Sequence, residues 1–326
     1  MCNMKVQELK TYINKVLVFY SPSRAGYWNS ITRCTVIGKP LELGRYYLDF
    51  SSKTSYPGEF SEDGIPLLNF RGREAIEMPT VVAQYALGIF ELLYQKKYND
   101  DALKYQFIKQ AEWFDRNKTE YKNGQGWYLN VSYPQHGVNS PFLSAMAQGE
   151  AISVLTRAYM LTGNQQFEQL AIKALSPFEY NVEDGGVVDY FNSIPIYEEG
   201  PTPIGVTGAL NGFIFSLYGL YDLYLLNKND KALKLFLKGI DSLIKLLPFF
   251  DIKHWTRYYL FNYPKKYYSS YTYHILVAEQ LKSIYHITGK NIFLEYSDRW
   301  FDYSKSFINR TRALFKKLTD SNQLVP

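Results

Sequence analysis

Three stretches of the chain hold side chains able to move protons. In Tyr197-Glu198-Glu199-Gly200-Pro201 two adjacent carboxylates sit in a loop framed by glycine and proline. Either Glu198 or Glu199, turned into a cleft, would serve as a general base, because burial penalises the charged carboxylate and raises its pKa toward neutrality. Left in solvent, the same pair is an ordinary acidic turn. Residues 251–274 hold seven tyrosines, His254, His274, Trp255 and Arg257. A tyrosine beside a cation releases its proton more readily, and an arginine neutralises a carboxylate by a two-pronged contact. Most of these tyrosines must still be packing residues. The third stretch, Pro141 to Glu150, carries the small residues Ala145, Ala147 and Gly149. They allow a ligand or another helix to approach a helix start closely.

Such groups need a scaffold, and the chain repeats one. Tyr94, Tyr159, Tyr224 and Tyr285 lie 65, 65 and 61 residues apart. Each closes an apolar helix and precedes a turn, such as Thr162-Gly163-Asn164 or Thr288-Gly289-Lys290. A second, amphipathic helix follows, as over 102–114 and 231–247. Helical periodicity begins at Pro79, whose fixed φ suits a first helical turn. The repeat predicts a mainly α protein: an α/α toroid, or incomplete barrel, of about four helical hairpins. In a toroid the first helix of each pair lines the inside, and its unpaired amino-terminal N–H groups face a cavity. Some ten to thirteen residues before the repeat tyrosines stand Gln84, Gln148, Asn211 and His274. They read either as helix caps or as the polar rim of a ligand cleft. Ahead of the helices, glycines and prolines punctuate short runs such as Arg33 to Ile37 and Tyr46 to Phe50. These predict a small β-rich segment over 1–75, before a helical catalytic domain over 76–326.

Composition narrows the function classes. Lys and Arg number 36 against 31 Asp and Glu, a net +5 that is spread thinly and disfavours a dedicated nucleic-acid binder. Two cysteines, Cys2 and Cys34, cannot form a disulfide scaffold or a cysteine zinc cluster. Four histidines without an H-E-x-x-H pattern leave little for a histidine metal site. No glycine-rich dinucleotide fingerprint follows a strand, so no cofactor is expected. The amino terminus lacks the pattern of a signal peptide, and no apolar run reaches about 18 residues. The expectation is a cytoplasmic protein without a membrane span. Aromatic residues make up 17 %, with 30 tyrosines, which suits a flat, sugar-like ligand surface or a tyrosine-rich core.

At Ser144-Ala145-Met146-Ala147-Gln148-Gly149-Glu150-Ala151-Ile152-Ser153, Tyr197-Glu198-Glu199 and Leu210-Asn211-Gly212-Phe213 the chain resembles the D-glucuronyl C5-epimerase family. Ser216 to Leu223, Leu247-Pro248 and Tyr273-His274 extend the likeness over roughly 125–305, and Gln84-Tyr85 adds a weaker match. The resemblance implies a helical catalytic domain that converts D-glucuronate units to L-iduronate in heparan-type polysaccharides, without a cofactor. It also implies a glycan partner and a homodimer. Its catalytic set falls on Glu199, Tyr258 and Tyr273. Gly200 stands where the animal-type enzymes carry a tyrosine, and Phe261 where they carry a basic residue.

The hydrogen on C5 of a uronate is α to a carboxylate and acidic only once that carboxylate is neutralised. Inversion needs protic groups on both ring faces. The expected arrangement sets Glu199 against Tyr273 or Tyr258, with Arg257 or His274 on the substrate carboxylate. Tyr197, Glu198, Trp255, Gln148, Asn211 and Gln84 are expected as further substrate contacts. Three rivals share these residues: a polysaccharide lyase that expels the C4 oxygen after the same abstraction, a hydrolase pairing Asp189 with Glu199, and a glycan-binding module without turnover.

Overall fold

The computed structural model describes residues 13, 16–21, 25–27, 30–69, 74–133, 137–202, 205–261 and 267–319; Cys2, His136 and Tyr263 lie outside them. Its helices are α1 (Pro79–Gln95), α2 (Asp101–Arg116), α3 (Ala145–Thr162), α4 (Gln165–Lys173), α5 (Leu210–Asn227), α6 (Asp230–Phe250), α7 (Tyr271–Thr288), α8 (Asn291–Lys305) and α9 (Phe307–Thr319). Short antiparallel pairs join them: β1 (Leu67–Leu68) with β2 (Ile76–Glu77), β3 (Thr119–Tyr121) with β4 (Gly124–Gly126), β5 (Tyr128–Leu129) with β6 (Phe142–Leu143), and β7 (Val188–Phe191) with β8 (Ile194–Tyr197).

The four repeat tyrosines fall in the last turns of α1, α3, α5 and α7, and a second helix follows each. Local signals set the boundaries. Pro79 opens α1, Asn229 caps α6 by accepting the Ala232 N–H at 2.9 Å, and Gly163 and Gly289 end α3 and α7 in the left-handed conformation. Helices α1, α3, α5 and α7 pack side by side in that order, and α2, α4, α6 and α8 back them. Burial explains the two layers: α5 is buried at every residue from Leu210 through Leu223, whereas α6 buries a single stripe. Gly149 serves tight packing, since a Cβ there would lie 2.5 Å from the Cα of Ser216 on α5.

Over its described residues the amino-terminal segment holds less strand than the expected β-rich unit. The runs 33–37 and 46–50 meet in one bridge, Cys34 with Leu48, and the β1–β2 ladder is two residues long. Tyr46, Tyr47 and Leu48 are all buried in succession, a pattern that a strand with one solvent face cannot satisfy. Its described residues 30–54 instead run as an irregular strap across the inner helices. Arg33 pairs with Glu279 of α7 at 2.8 Å, and the Pro40 carbonyl accepts the Tyr221 hydroxyl of α5 at 3.0 Å. The Gly44 carbonyl then accepts Nε of Arg157 on α3 at 3.0 Å, and Arg45 forms a two-pronged pair with Glu91 of α1. Tyr46, Tyr47, Leu48 and Phe50 share one hydrophobic core with all four inner helices.

Beneath the strap Arg157 and Asp222 join α3 to α5 at 2.6 Å, both buried, and Tyr47 donates to the same carboxylate at 2.8 Å. Removing one member leaves the other charge buried and unpaired. Asp222→Ala should therefore cost about 3–5 kcal/mol of stability, measured by urea unfolding; a loss under about 1 kcal/mol, the range of an exposed pair, would show that the pair does not hold the two helices.

Candidate active site

The β7–β8 hairpin delivers the two carboxylates. Its turn residues Asn192 and Ser193 have φ of 49° and 64°, the paired left-handed positions of a tight hairpin. The ladder continues through the Glu198 N–H, which donates to Val187 O at 2.7 Å. The Tyr197 ring packs between Phe178 and Phe213, and its hydroxyl donates to Leu235 O at 2.8 Å. Tyr197 therefore anchors the hairpin, and its expected place among substrate contacts is corrected. Glu198 is fully buried. It accepts the Gly208 N–H at 2.9 Å and the Thr207 hydroxyl, while its backbone carbonyl receives the Ala145 N–H at 2.8 Å. With both oxygens held by the scaffold, Glu198 braces the starts of α3 and α5.

Glu199 takes the other direction. It lies against the first turn of α5, where Asn211 Nδ2 donates at 3.4 Å and the Gly212 N–H adds a second donor. A Cβ on residue 212 would stand 2.6 Å from that of Glu199, so only glycine admits the carboxylate here. The donors and the helix amino end favour the ionised form. Burial outweighs them and pushes the pKa up to about 7.

Facing Glu199 is a cluster of tyrosines. Tyr258 and Tyr259 follow α6, and Tyr273 projects from the first turn of α7, whose cap Ser270 accepts the Tyr273 N–H at 3.2 Å. The rings of Tyr258 and Tyr273 meet edge to face at 4.7 Å, and the Tyr258 hydroxyl donates to that of Tyr273. Burial, then the Glu199 charge, raises all three phenols, Tyr273 to about 12. Tyr267 packs against Tyr258 and Tyr259 at 5.9 and 5.4 Å. Sequence reasoning did not choose Tyr259 or Tyr267; the dense tyrosine run was their only signal.

Of the two expected carboxylate clamps, the structure engages both ring nitrogens of His274 in the scaffold and one nitrogen of Arg257 in its own loop. His274 is buried, stacked on Trp255 at 3.8 Å, with its ring nitrogens on the Thr256 hydroxyl and the Trp300 carbonyl. Burial lowers its pKa to about 3, so it is a neutral scaffold residue. Trp255 donates to Ser269 O and packs on Phe19, in the same support. Arg257 Nη2 donates to Leu260 O at 2.6 Å and to Phe261 O at 3.3 Å. It thereby shapes the loop that carries Tyr258 and Tyr259.

The polar residues on the inner helices are not caps, since Met78, Ser144, Ala209 and Ser270 hold those positions. Asn211 reaches Glu199. Gln84 on α1 donates to Glu150 on α3 at 3.0 Å. Glu150, missed as a candidate, is fully buried, raised in pKa by burial and by Glu199, and held near the charge of Lys53 from the strap. The amide of Gln148 is buried and meets no hydrogen-bond partner among the described residues. Asp189, the second carboxylate of a hydrolase pair, acts electrostatically on the scaffold residue Glu198.

Glu198, raised to about 8, and Glu199 both bind protons more tightly in the folded chain than in the unfolded one. The folded state then holds more protons at intermediate pH, and stability falls as pH rises from about 5, by about 1.4 kcal/mol per pH unit for each group, up to about 7 for Glu199 and about 8 for Glu198. Glu198→Gln should remove one group's share of that slope in urea unfolding across this range. An unchanged slope would contradict the burial assigned to Glu198.

Residues 121–302 match the family model described as D-glucuronyl C5-epimerase C-terminus. A D-glucuronyl C5-epimerase of Caenorhabditis elegans is 34 % identical over 219 residues, which cover 61 % of this chain and 35 % of that protein. An uncharacterized protein of Methanocaldococcus jannaschii is 28 % identical over 182 residues, covering 53 % of this chain and 56 % of that protein. The chain thus spans about a third and about half of these relatives' lengths. The family match takes in more than half of the chain and includes Glu199, Tyr258 and Tyr273, so the chain belongs to the D-glucuronyl C5-epimerase family.

Proposed function

We propose that the chain is an isomerase that inverts C5 of D-glucuronate residues in a cytoplasmic polysaccharide or oligosaccharide, and that its two helical layers form an arc of an α/α toroid. The observation that carries this reading is Glu199, a carboxyl with pKa about 7, set among tyrosine hydroxyls of which Tyr273 rises to about 12. One group is a base at neutral pH and the other stays a protonated acid.

In the proposed reaction the Glu199 carboxylate takes the C5 proton, and the electron pair moves into the substrate carboxylate to form an enolate. Tyr273 returns a proton to the opposite face, and solvent exchange resets both groups. The site couples the two steps. While Glu199 is charged it holds the Tyr273 proton in place, and once Glu199 has accepted a proton that restraint is gone. Tyr273 thereby becomes more acidic at the moment it must donate, and the Tyr258 hydroxyl stabilises the phenolate left behind. With the ring nitrogens of His274 held by the scaffold, the buried amide of Gln148, which meets no partner among the described residues, is our candidate donor to the substrate carboxylate.

Glu199→Gln and Tyr273→Phe should each lower turnover on heparosan at least 100-fold, the low end of what a positioned acid or base contributes. Wild-type kcat/KM should rise with pH through about 7 and then level, as the base ionises. Incubation in deuterated water, followed by proton NMR, should show C5 exchange and an iduronate signal without unsaturated chain ends. Near-normal turnover in both variants would remove the assignment, and unsaturated ends would make the chain a lyase using the same base.

A further inference from the structure

Helix α9 lies beyond residue 302, where the family match ends. Ala313 and Leu314 bury one side of it in a cluster with Phe19, Trp255, Tyr271 and Ile275. On the other side Phe307, Ile308, Thr311, Arg312, Phe315, Lys316 and Thr319 are all exposed, at the spacing of a single helical face. Phe307, Ile308 and Phe315 are 68 %, 75 % and 63 % exposed, and the Tyr20 ring, 5.5 Å from Phe307, enlarges the apolar patch. A contiguous apolar face of this kind marks an interaction surface.

The cations decide what it meets. Between Phe307 and Thr319 the chain carries Arg310, Arg312, Lys316 and Lys317 and no acidic residue. Arg312 and Lys316 stand one turn apart on the exposed face, and neither forms an ion pair among the described residues. A second copy docking through the same face would set cations against cations, since a two-fold contact pairs a patch with itself. A negatively charged lipid surface satisfies both kinds of residue at once. We infer that α9 docks the chain on an anionic bilayer, with Phe307, Ile308 and Phe315 entering the acyl boundary and Arg312 and Lys316 on lipid phosphates.

The inward side of α9 sets what this docking brings to the membrane. Lys317 donates to Tyr268 O at 2.9 Å and lies 4.6 Å over the Tyr267 ring, which packs against Tyr258 and Tyr259. The tyrosine cluster would then sit about one helix diameter, roughly 10 Å, from the lipid, suited to a glycan carried on a lipid anchor. That last consequence alone rests on the proposed function.

The test uses the full chain and needs no activity. In co-sedimentation at low salt, the chain should bind vesicles of equal parts phosphatidylcholine and phosphatidylglycerol, and not phosphatidylcholine alone. Added salt should weaken the binding. Phe307→Ser with Phe315→Ser, and separately Arg312→Glu with Lys316→Glu, should each reduce binding at least tenfold while leaving the circular dichroism spectrum unchanged. The inference is overturned by absence of binding to the anionic vesicles, by binding that survives both pairs, or by light scattering that shows a dimer which only the phenylalanine pair dissolves.

Discussion

The buried pair of Arg157 and Asp222 is the contact on which the arrangement turns. Two opposite charges in the core are costly to desolvate, and such a pair persists only when every remaining donor and acceptor is satisfied. Here they are. Asp222 receives the guanidinium and the Tyr47 hydroxyl, while Arg157 also donates to Ser153 O and Gly44 O. The guanidinium lies 5.2 Å from the Tyr46 ring and 5.5 Å from that of Phe90. One contact therefore binds α3, α5, α1 and the strap. It also fixes the height of α3 against α5, whose first turns carry Gln148, Asn211 and Gly212. Asn211 lies eleven residues from Asp222, or about 16 Å along the helix, so the pair sets register at one end and the chemistry uses it at the other.

The site end of the inner helices is built by the opposite economy. Among the described residues neither Glu198 nor Glu199 forms an ion pair there, and burial pushes both toward and past neutral pH. Glu198 spends its oxygens on Thr207 and Gly208. Glu199, whose donors among the described residues are Asn211 and Gly212, keeps the ability to exchange a proton. The neighbouring tyrosines feel its charge, which raises the pKa of each. Two adjacent glutamates thus take separate roles from their surroundings alone. Arg257, the cation nearest in sequence, closes its own loop through Nη2 on the carbonyls of Leu260 and Phe261 and so positions Tyr258.

Much of this was legible in the chain. The spacing of Tyr94, Tyr159, Tyr224 and Tyr285 marks four hairpins, because a helix buried on several sides must be apolar throughout while its outer partner needs one stripe. Gly163 and Gly289 mark helix ends, since glycine adopts the left-handed conformation without strain. The run Ser144 to Ser153 and the pair Glu198-Glu199 pointed to the family and to the loop that carries its chemistry. Composition and spacing determined which residues could be acids and bases, and which helices lie inside.

Tertiary structure alone decided which of those residues are free to act. His274 and Trp255 have the right chemistry, but their ring nitrogens are met by Thr256, Trp300 and Ser269, and Nη2 of Arg257 is taken by the carbonyls of residues 260 and 261. Those partners come from other elements, and no local pattern announces them. The strap misled for a related reason: Tyr46, Tyr47 and Leu48 read as a strand until the helices they lie on are known. Glu150 and Tyr259 stayed unremarkable in sequence because their burial and proximity to Glu199 arise only when α1, α3, α5 and α7 are side by side. Side-chain type and spacing are properties of the chain, whereas desolvation and hydrogen-bond partnership are properties of the assembled fold, and it is these that set a pKa.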